Sequence, residues 1–278
     1  MIKIKKFNFH TSLVYYQEPD PGLVDRVYRY LISDIKDYEQ ELVKSKLARK
    51  RHRIVYRIEH DSRVYYLKKF KNNSLYFTFL DIIRTQRATR NLLVSHFLYK
   101  HDISTGKILF AMVDKRNIIN HPSVMISEEC EGISIKNLLL GEISEAQKKE
   151  LLNMYIEIYV KMLQNRIYHR DPHFSNFMME EGKLLLTDLD DVFIVPKFTL
   201  KLLKRNLKKL SRILLYVYIR PRNKGINFNN ADREYILKEI IRRYDPELEV
   251  NRMYKYLQKK TLVEIFEVTN FIENNRDD

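Results

Sequence analysis

Apolar residues recur with two different periods along this chain, and the period changes near its middle. In the first half, residues 53–59 (RIVYRIE) and 63–70 (RVYYLKKF) are rich in Val, Ile and Tyr. The turn HDS separates them, so they predict a β-hairpin. Residues 107–113 and 123–129 also predict strands, and residues 75–101 predict a helix between the two pairs. The first half is therefore predicted to be rich in strands.

Helical spacing dominates the second half. A capping box of Ser144 and Gln147 opens a predicted helix that continues to residue 167. A short hairpin follows and turns at Glu181-Gly182. Beyond residue 198 the chain reads as helices, one of which carries an apolar stripe formed by Leu203, Leu207, Leu210, Leu214 and Val217.

These elements predict an α+β fold with two lobes. We place an N-terminal extension with one helix at residues 1–40, because Leu23, Val27, Leu31 and Ile35 share one helical face. A small β-rich N-lobe follows at 41–130, and a larger α-helical C-lobe occupies 131–278. The join is expected near residues 129–132.

Composition limits the class of protein. A chain of 278 residues with 45% hydrophobic content can bury a substantial core, and its lone Cys130 cannot form an intramolecular disulfide. No apolar run approaches the roughly 20 residues of a membrane span. We therefore expect a cytoplasmic protein. The net charge of +14 predicts attraction to polyanions, whether nucleic acid, an anionic membrane face or phosphorylated substrates.

The stretch YHRDPHFSN, residues 168–176, carries the candidate chemistry. Asp171 is followed at the fifth place by Asn176, and a further carboxylate, Asp188, stands at the end of the next hairpin. One carboxylate that accepts a proton and two oxygen ligands for Mg²⁺ are what phosphoryl transfer needs from a protein. The alternative is that Asp171 and Asn176 only cap turns around a core hairpin.

This spacing resembles the catalytic and metal-binding segments of protein-kinase-like enzymes. The form DPHFSNF is most similar to the lipopolysaccharide core heptose kinase family, to which Kdo kinases are related. The resemblance covers most of residues 41–245 and is specific at 168–190. It implies a protein-kinase-like two-lobe fold, the cofactors ATP and Mg²⁺, Asp171 as catalytic base, and Asn176 and Asp188 as metal ligands.

The resemblance also assigns nucleotide-binding residues. Lys68 matches the strand lysine that pairs with the α- and β-phosphates, whereas Lys69 points to the opposite strand face. The backbone from Glu128 to Cys130 matches the segment that meets adenine. His173 stands where protein kinases have a lysine that reaches the transferred phosphate; it contacts phosphate or hydrogen-bonds the backbone. Lys68 could alternatively be a solvated strand lysine.

Three features depart from the protein-kinase pattern. The loop at 44–53, KSKLARKRHR, has six Lys or Arg and no glycine, where a Gly-rich loop is expected. Between residues 60 and 126 there is no glutamate to pair with Lys68, and Asp81 is a weak substitute. The sequence DLDD at 188–191 is followed by no long activation segment, so Arg170 is predicted to be structural and protein substrates are disfavoured.

The charge distribution bears on the acceptor. Residues 192–231 contain ten Lys or Arg and no acid. An anionic acceptor such as the lipopolysaccharide inner core suits this balance, with heptose as first choice and Kdo as second. The basic side of the predicted helix is either a solvated face or a surface for the anionic inner membrane; it comprises Lys201, Lys204, Arg205, Lys208 and Arg212.

Other functions remain open from sequence alone. A protein or small-molecule kinase could use the same scaffold, and a catalytically inactive kinase-like module would explain the missing glycines and glutamate. No base-reading motif accompanies the charge, so nucleic acid is not predicted as a partner. The oligomeric state is not predicted.

Overall fold

A computed structural model describes residues 5–10, 12–16, 20–32, 43–44, 53–70, 86–116, 122–219 and 225–259. The chain divides into two units, Met1–Glu131 and Gly132–Asp278. Strands dominate the first unit and helices the second, in agreement with the α+β prediction. Within the described ranges, no helix is long and apolar enough to span a bilayer.

One antiparallel sheet of seven strands organises the first unit. Its strand order is β1-β2-β6-β7-β5-β4-β3. The strands are β1 (Lys5–Phe9), β2 (Ser12–Tyr16), β3 (Val43–Lys44), β4 (Arg53–His60), β5 (Arg63–Phe70), β6 (Ile108–Asp114) and β7 (Ser123–Glu128). All seven residues of β6 are buried, which is typical of a central strand.

The segment 1–40 contributes more than the single helix that we predicted. Its strands β1 and β2 extend the sheet, because β2 pairs antiparallel with β6 from Ser12↔Asp114 to Tyr16↔Phe110. Pairing over almost 100 residues of sequence leaves no local signal, which is why the pattern alone did not reveal it. Residues 33–40, with Ile35, lie outside the described ranges.

Helix α1 (Pro21–Ile32) packs its predicted apolar face on the sheet. Leu23, Val27 and Leu31 are buried in one cluster with residues of β4 to β7. Lys69 points to this side of the sheet and is buried. Its Nζ donates to the carbonyl oxygens of Tyr30 (2.9 Å) and Leu31 (3.3 Å). The end of α1 is thereby capped by a cation, which suits the negative end of a helix dipole.

The predicted hairpin of β4 and β5 is confirmed, with the pairing running from Arg53↔Phe70 to His60↔Arg63. Asp61 and Ser62 form its two-residue turn, and both have positive φ (48° and 60°), as a type I′ turn requires. Helix α2 (Arg87–Lys100) confirms the later part of the predicted helix at 75–101. Asp81 and most of the basic loop at 44–53 lie outside the described residues.

Helices make up most of the second unit. They are α3 (Ile135–Leu140), α4 (Glu145–Gln164), α5 (Leu200–Ile219) and α6 (Asn230–Tyr244), with a further helical segment at residues 250–259. Two small antiparallel sheets accompany them, in the orders β11-β10-β8 and β12-β9. Their strands are β8 (Ile133–Ser134), β9 (Ile167–His169), β10 (Phe177–Glu180), β11 (Lys183–Leu186) and β12 (Val192–Ile194).

Local predictions in this unit are confirmed. Helix α4 begins with the capping box of Ser144 and Gln147. The hairpin of β10 and β11 turns at Glu181 and Gly182, which have φ of 47° and 75°. All five residues of the predicted apolar stripe on α5 are buried.

Candidate functional site

The loop that carries Asp171 is fastened at its start to the segment that follows Asp188. Strand β9 pairs with β12, so that His169 stands opposite Val192. The amide of Arg170 donates to the carbonyl of Asp191 (2.7 Å), and the two side chains approach to 3.8 Å. The Arg170 guanidinium also lies 5.8 Å from the centre of the Phe193 ring. These contacts agree with the structural role predicted for Arg170.

Asn176 connects Asp171 to the hairpin that ends at Asp188. Its side-chain Nδ2 donates to the carbonyl of Asp171 (2.8 Å). Its own carbonyl accepts from the amide of Thr187 (3.0 Å) and from the Thr187 hydroxyl (3.3 Å). Because Nδ2 is used in this way, Oδ1 is the atom of the amide left for a metal.

The predicted metal ligands have the right chemistry for Mg²⁺. Asn176 offers an amide oxygen and Asp188 a carboxylate, and hard cations prefer oxygen donors of these kinds. One oxygen of Asp188 accepts from the amide of Asp190 at 3.3 Å, which orients the carboxylate. The donor types of Asn176 and Asp188 therefore fit a magnesium ion, and their role as its ligands stays a prediction.

His169 precedes the loop and contacts Asp171. The ring is buried, and its Nδ1 accepts a hydrogen bond from the amide of Asp171 (3.2 Å). Burial lowers the pKa of His169 to about 4, although the neighbouring carboxylate of Asp188 acts in the opposite direction. The imidazole is therefore neutral at physiological pH, as an acceptor at Nδ1 requires.

Two tyrosines of α4 support the loop from the core. The hydroxyl of Tyr155 donates to the carbonyl of Pro172 (2.8 Å), and its ring packs edge-to-face on Phe174 and Phe177. Tyr159 hydrogen-bonds Asn206 of α5, whose Nδ2 points to the carbonyl of His169 at 3.5 Å. The predicted helix thus also supports the loop that carries Asp171.

His173 takes one of the two roles that we considered for it. Its Nδ1 accepts from the amide of Ser175 (3.3 Å), so that it caps the 3₁₀ turn Phe174–Asn176. This is the backbone contact foreseen as one alternative. Contact with a phosphate stays a prediction.

A cavity of about 540 Å³ opens beside Asp171, inside the second unit. The residues that line it are Lys136, Asp171, His173, Ser175, Lys209, Arg212, Ile213 and Tyr216. Three of them are cations. Burial lowers the pKa of the half-buried Lys209, with Arg170 and Arg212 acting in the same direction and Asp171 opposing them.

Sequence reasoning missed several of these lining residues. We had placed Arg212 on the outer basic face of α5, and Lys209, Tyr216 and Lys136 were given no role. A signal was present for the residues of α5, because 209, 212 and 216 follow one another at the spacing of a single helical face. Lys136 comes from α3, more than 70 residues away in sequence from Lys209, and only folding brings it there.

The predicted nucleotide-binding residues Lys68, Glu128 and Cys130 belong to the first unit. Lys68 is half-buried on β5, opposite Met125 of β7, and on the other strand face from Lys69. The side chain of Glu128 pairs with Lys107 at 3.1 Å, and the amides of Glu128 and Glu129 donate to the carbonyls of Lys107 (2.9 Å) and Val64 (3.1 Å). Cys130 is half-buried. Their nucleotide roles stay predictions.

Comparison with known proteins supports the kinase resemblance. A family model described as ABC1 atypical kinase-like domain matches residues 116–213, which include the loop, the hairpin and most of α5. A solved structure, "WaaP in complex with acyl carrier protein", matches 88% of this chain and 96% of that chain, with a TM-score of 0.58 and 13% identity. No curated protein matches the sequence significantly.

At this identity the structural match establishes the fold. It is in line with the resemblance to the lipopolysaccharide core heptose kinases that the motif DPHFSNF suggested. The strand-rich first unit and the helical second unit agree with that fold. The chain therefore has a kinase-like fold, as predicted.

Proposed function

We propose that this protein is an ATP-dependent kinase that phosphorylates a heptose hydroxyl of the lipopolysaccharide inner core. One observation carries the proposal: Asp171 lies on a cation-lined cavity, and its backbone is tied through Asn176 to the hairpin that ends at Asp188. A kinase-like fold supports it, since folds of this class use ATP with a divalent metal.

Asp171 acts as the base in this proposal. Its carboxylate accepts the proton that the acceptor hydroxyl loses when the hydroxyl oxygen attacks the γ-phosphorus of ATP. The new O–P bond replaces the bond to ADP, which leaves, and the contact with Asp171 orients the hydroxyl. The backbone hydrogen bonds of the loop hold the carboxylate in place before the acceptor arrives. Positioning of this kind accounts for much of the rate in phosphoryl transfer.

The cofactors are proposed from the donor set and from the fold. Bound Mg-ATP supplies the phosphoryl group, and Asn176 and Asp188 hold the metal. Lys68 pairs with the phosphates, and the backbone of Glu128 to Cys130 contacts the adenine. These assignments rest on the family resemblance.

The acceptor is proposed from charge. Lys136, Lys209 and Arg212 around a single carboxylate favour an anionic acceptor over a cationic one such as an aminoglycoside. The inner core of lipopolysaccharide is anionic. Heptose is the first acceptor to test, because the motif DPHFSNF most resembles the heptose kinases, and Kdo is the second.

The proposed place of action is the cytoplasmic face of the inner membrane, where the protein binds peripherally. Lys201 and Arg205 of α5 are exposed, and Leu200 beside them is 53% exposed. Basic residues interspersed with exposed apolar ones suit an anionic lipid surface.

A transfer assay tests the base assignment. The purified protein with Mg-ATP should phosphorylate core oligosaccharide, and mass spectrometry should detect one added phosphate on heptose. Asp171→Asn should lower kcat by about 10²–10⁴-fold, because the amide cannot take the proton. Asp102→Asn, at an exposed position of positive φ that Asn tolerates, is the matched control. Normal turnover by Asp171→Asn would exclude Asp171 as the base.

Thermal unfolding tests the nucleotide site separately from transfer. Mg-ATP at about 100 times its Kd should stabilise the protein by about 2.7 kcal/mol, since ligand binds only the folded state. Asp171→Asn should retain this shift, whereas Asp188→Asn should lose most of it. An unchanged melting temperature for the unmodified protein would favour an inactive kinase-like module.

A further inference from the structure

The cavity beside Asp171 lies on one side of the catalytic loop. Asp171 and His173 line it, but among the described residues neither Asn176 nor Asp188 does. A base must face the hydroxyl that it deprotonates, and the metal ligands must face the phosphates. The cavity is therefore on the acceptor side of Asp171, and its volume of about 540 Å³ lies within the roughly 300–1,000 Å³ typical of small-molecule pockets.

The wall opposite the loop comes from one face of α5. Lys209, Arg212, Ile213 and Tyr216 recur at helical spacing and all line the cavity. This face combines two cations with an apolar side chain and an aromatic ring bearing a hydroxyl. Such a surface suits a ring with several polar groups and one charged group better than it suits a purely apolar ligand.

Lys209 is an unfavourably placed cation until an anion joins it. The side chain is half-buried, and burial together with Arg170 and Arg212 lowers its pKa. Asp171 and Asp191 compensate only in part. An anion bound between Lys209 and Arg212 would relieve the repulsion between two neighbouring cations in a partly dehydrated site.

We infer that Lys209 and Arg212 bind an acid group of the acceptor, a carboxylate or a phosphate next to the sugar that is phosphorylated, and so set the choice of acceptor. The inference rests on the proposed function and deepens it. Arg212 presents a planar fork that can bind either oxyanion with two hydrogen bonds, and Lys209 adds a point charge. Lys136, from α3, lies on the same cavity and adds to the positive potential.

The experiment compares acceptors that differ in one acid group. The full-length protein with Mg-ATP is given a Kdo-bearing heptose oligosaccharide, the same compound with its carboxylates reduced to alcohols, and the same compound with its phosphate groups removed. The unmodified protein should use the intact acceptor about ten- to a hundredfold better, in kcat/KM, than the version that lacks the recognised group. The two altered acceptors show whether that group is a carboxylate or a phosphate.

Lys209→Gln and Arg212→Gln should each lose about tenfold in kcat/KM for the intact acceptor, mainly through KM. On the acceptor that lacks the recognised acid group, both variants should lose much less kcat/KM than on the intact acceptor, and the KM for ATP should stay nearly unchanged. Lys149→Gln, on the exposed face of α4, removes the same charge far from the cavity in sequence and is the matched control. Melting temperatures within the error of the unmodified protein show that the variants are folded.

Different outcomes overturn different claims. Equal use of charged and neutralised acceptors by the unmodified protein overturns the inference and leaves the kinase proposal standing. A rise in the KM for ATP in the two variants, without a change for the acceptor, also overturns it, because these cations would then serve the nucleotide. Failure of the unmodified protein to phosphorylate any of the acceptors, with Mg-ATP still bound, overturns the heptose proposal itself.

Discussion

At the scale of single residues, Asp171 is held through its backbone. Its amide donates to His169, and its carbonyl accepts from the amide of His173 (2.8 Å) and from the side chain of Asn176 (2.8 Å). Three hydrogen bonds therefore fix the residue, which lines the cavity. In the role that we propose for Asp171, a base fixed in this way would lose little entropy when the acceptor binds.

The buried His169 makes stability depend on pH. Its pKa is lowered from 6.5 to about 4, so between these values the unfolded chain binds more protons than the folded one. The contribution of His169 is complete above pH 6.5 and is lost as the pH falls towards 4. The loss amounts to about 3 kcal/mol, at 1.36 kcal/mol per pKa unit.

Urea denaturation from pH 4 to 7, without added metal, measures this effect. His169→Asn keeps an acceptor near the position of Nδ1 but does not titrate, so its stability should fall less steeply on acidification than that of the unmodified protein. Carboxylates titrate alike in both proteins and cancel in the comparison. Parallel curves for the two proteins would contradict the assignment of a depressed pKa to His169.

At the scale of elements, α4 is the support of the catalytic loop. Tyr155 and Tyr159, one helical turn apart, reach Pro172 directly and His169 through Asn206. Lys148, near the start of the helix, binds Asn227 (3.1 Å) and Asp232 (3.4 Å) at the beginning of α6. The helix therefore connects the loop to the rest of the second unit.

Tyr155→Phe removes the hydrogen bond from α4 to the loop and leaves Asp171 itself unchanged. Burial raises the pKa of Tyr155, so its hydroxyl is a permanent donor, and removing it leaves the carbonyl of Pro172 without this partner. The variant should lose about 1–3 kcal/mol of unfolding free energy. We also expect kcat to fall more than the KM for ATP, because the loop that carries Asp171 loosens.

Tyr235→Phe is the matched control for that variant. It removes a hydroxyl that bonds Asn153 at 2.7 Å on a partly exposed surface of α6, where water can replace it. Its stability and kcat should change little. If both tyrosine variants behaved alike in kcat, α4 would not position the catalytic loop.

At the scale of the whole molecule, charge is the dominant property. The net charge of +14 is uneven, because residues 192–231 carry ten Lys or Arg and no acid. Arg212 and Lys209 from this segment line the cavity, whereas Lys201 and Arg205 are exposed. One helix thus carries basic residues for two proposed purposes, the acceptor group and the membrane.

Vesicle binding tests the proposed contact of Lys201 and Arg205 with the membrane. The protein should bind vesicles containing anionic lipid and not neutral phosphatidylcholine vesicles, and added salt should weaken the binding. Lys201→Gln with Arg205→Gln should reduce the affinity about 30-fold, at about 1 kcal/mol for each residue. Lys149→Gln with Lys161→Gln removes equal charge from α4 as a control. An equal loss in both double variants would mean that only net charge matters.

Local features of this protein were predictable because neighbouring residues decide them. The turns at Asp61-Ser62 and Glu181-Gly182 contain an Asp and a Gly, which tolerate positive φ, and Ser144 caps α4 with a partner three residues away. The apolar stripe of α5 follows from helical period alone. The roles of Lys68, Glu128 and Cys130 are still predictions.

The sequence by itself determined the α+β character, the kinase-like order of elements and the loop from Asp171 to Asn176, because short-range spacing and turn chemistry specify them. Only the tertiary structure showed β1 and β2 in the large sheet and brought Lys136 and Lys209 to the cavity of Asp171. Strand pairing and cavity walls depend on contacts between residues far apart in the chain. The free energy of such contacts comes from burial on folding, which no local window of sequence contains.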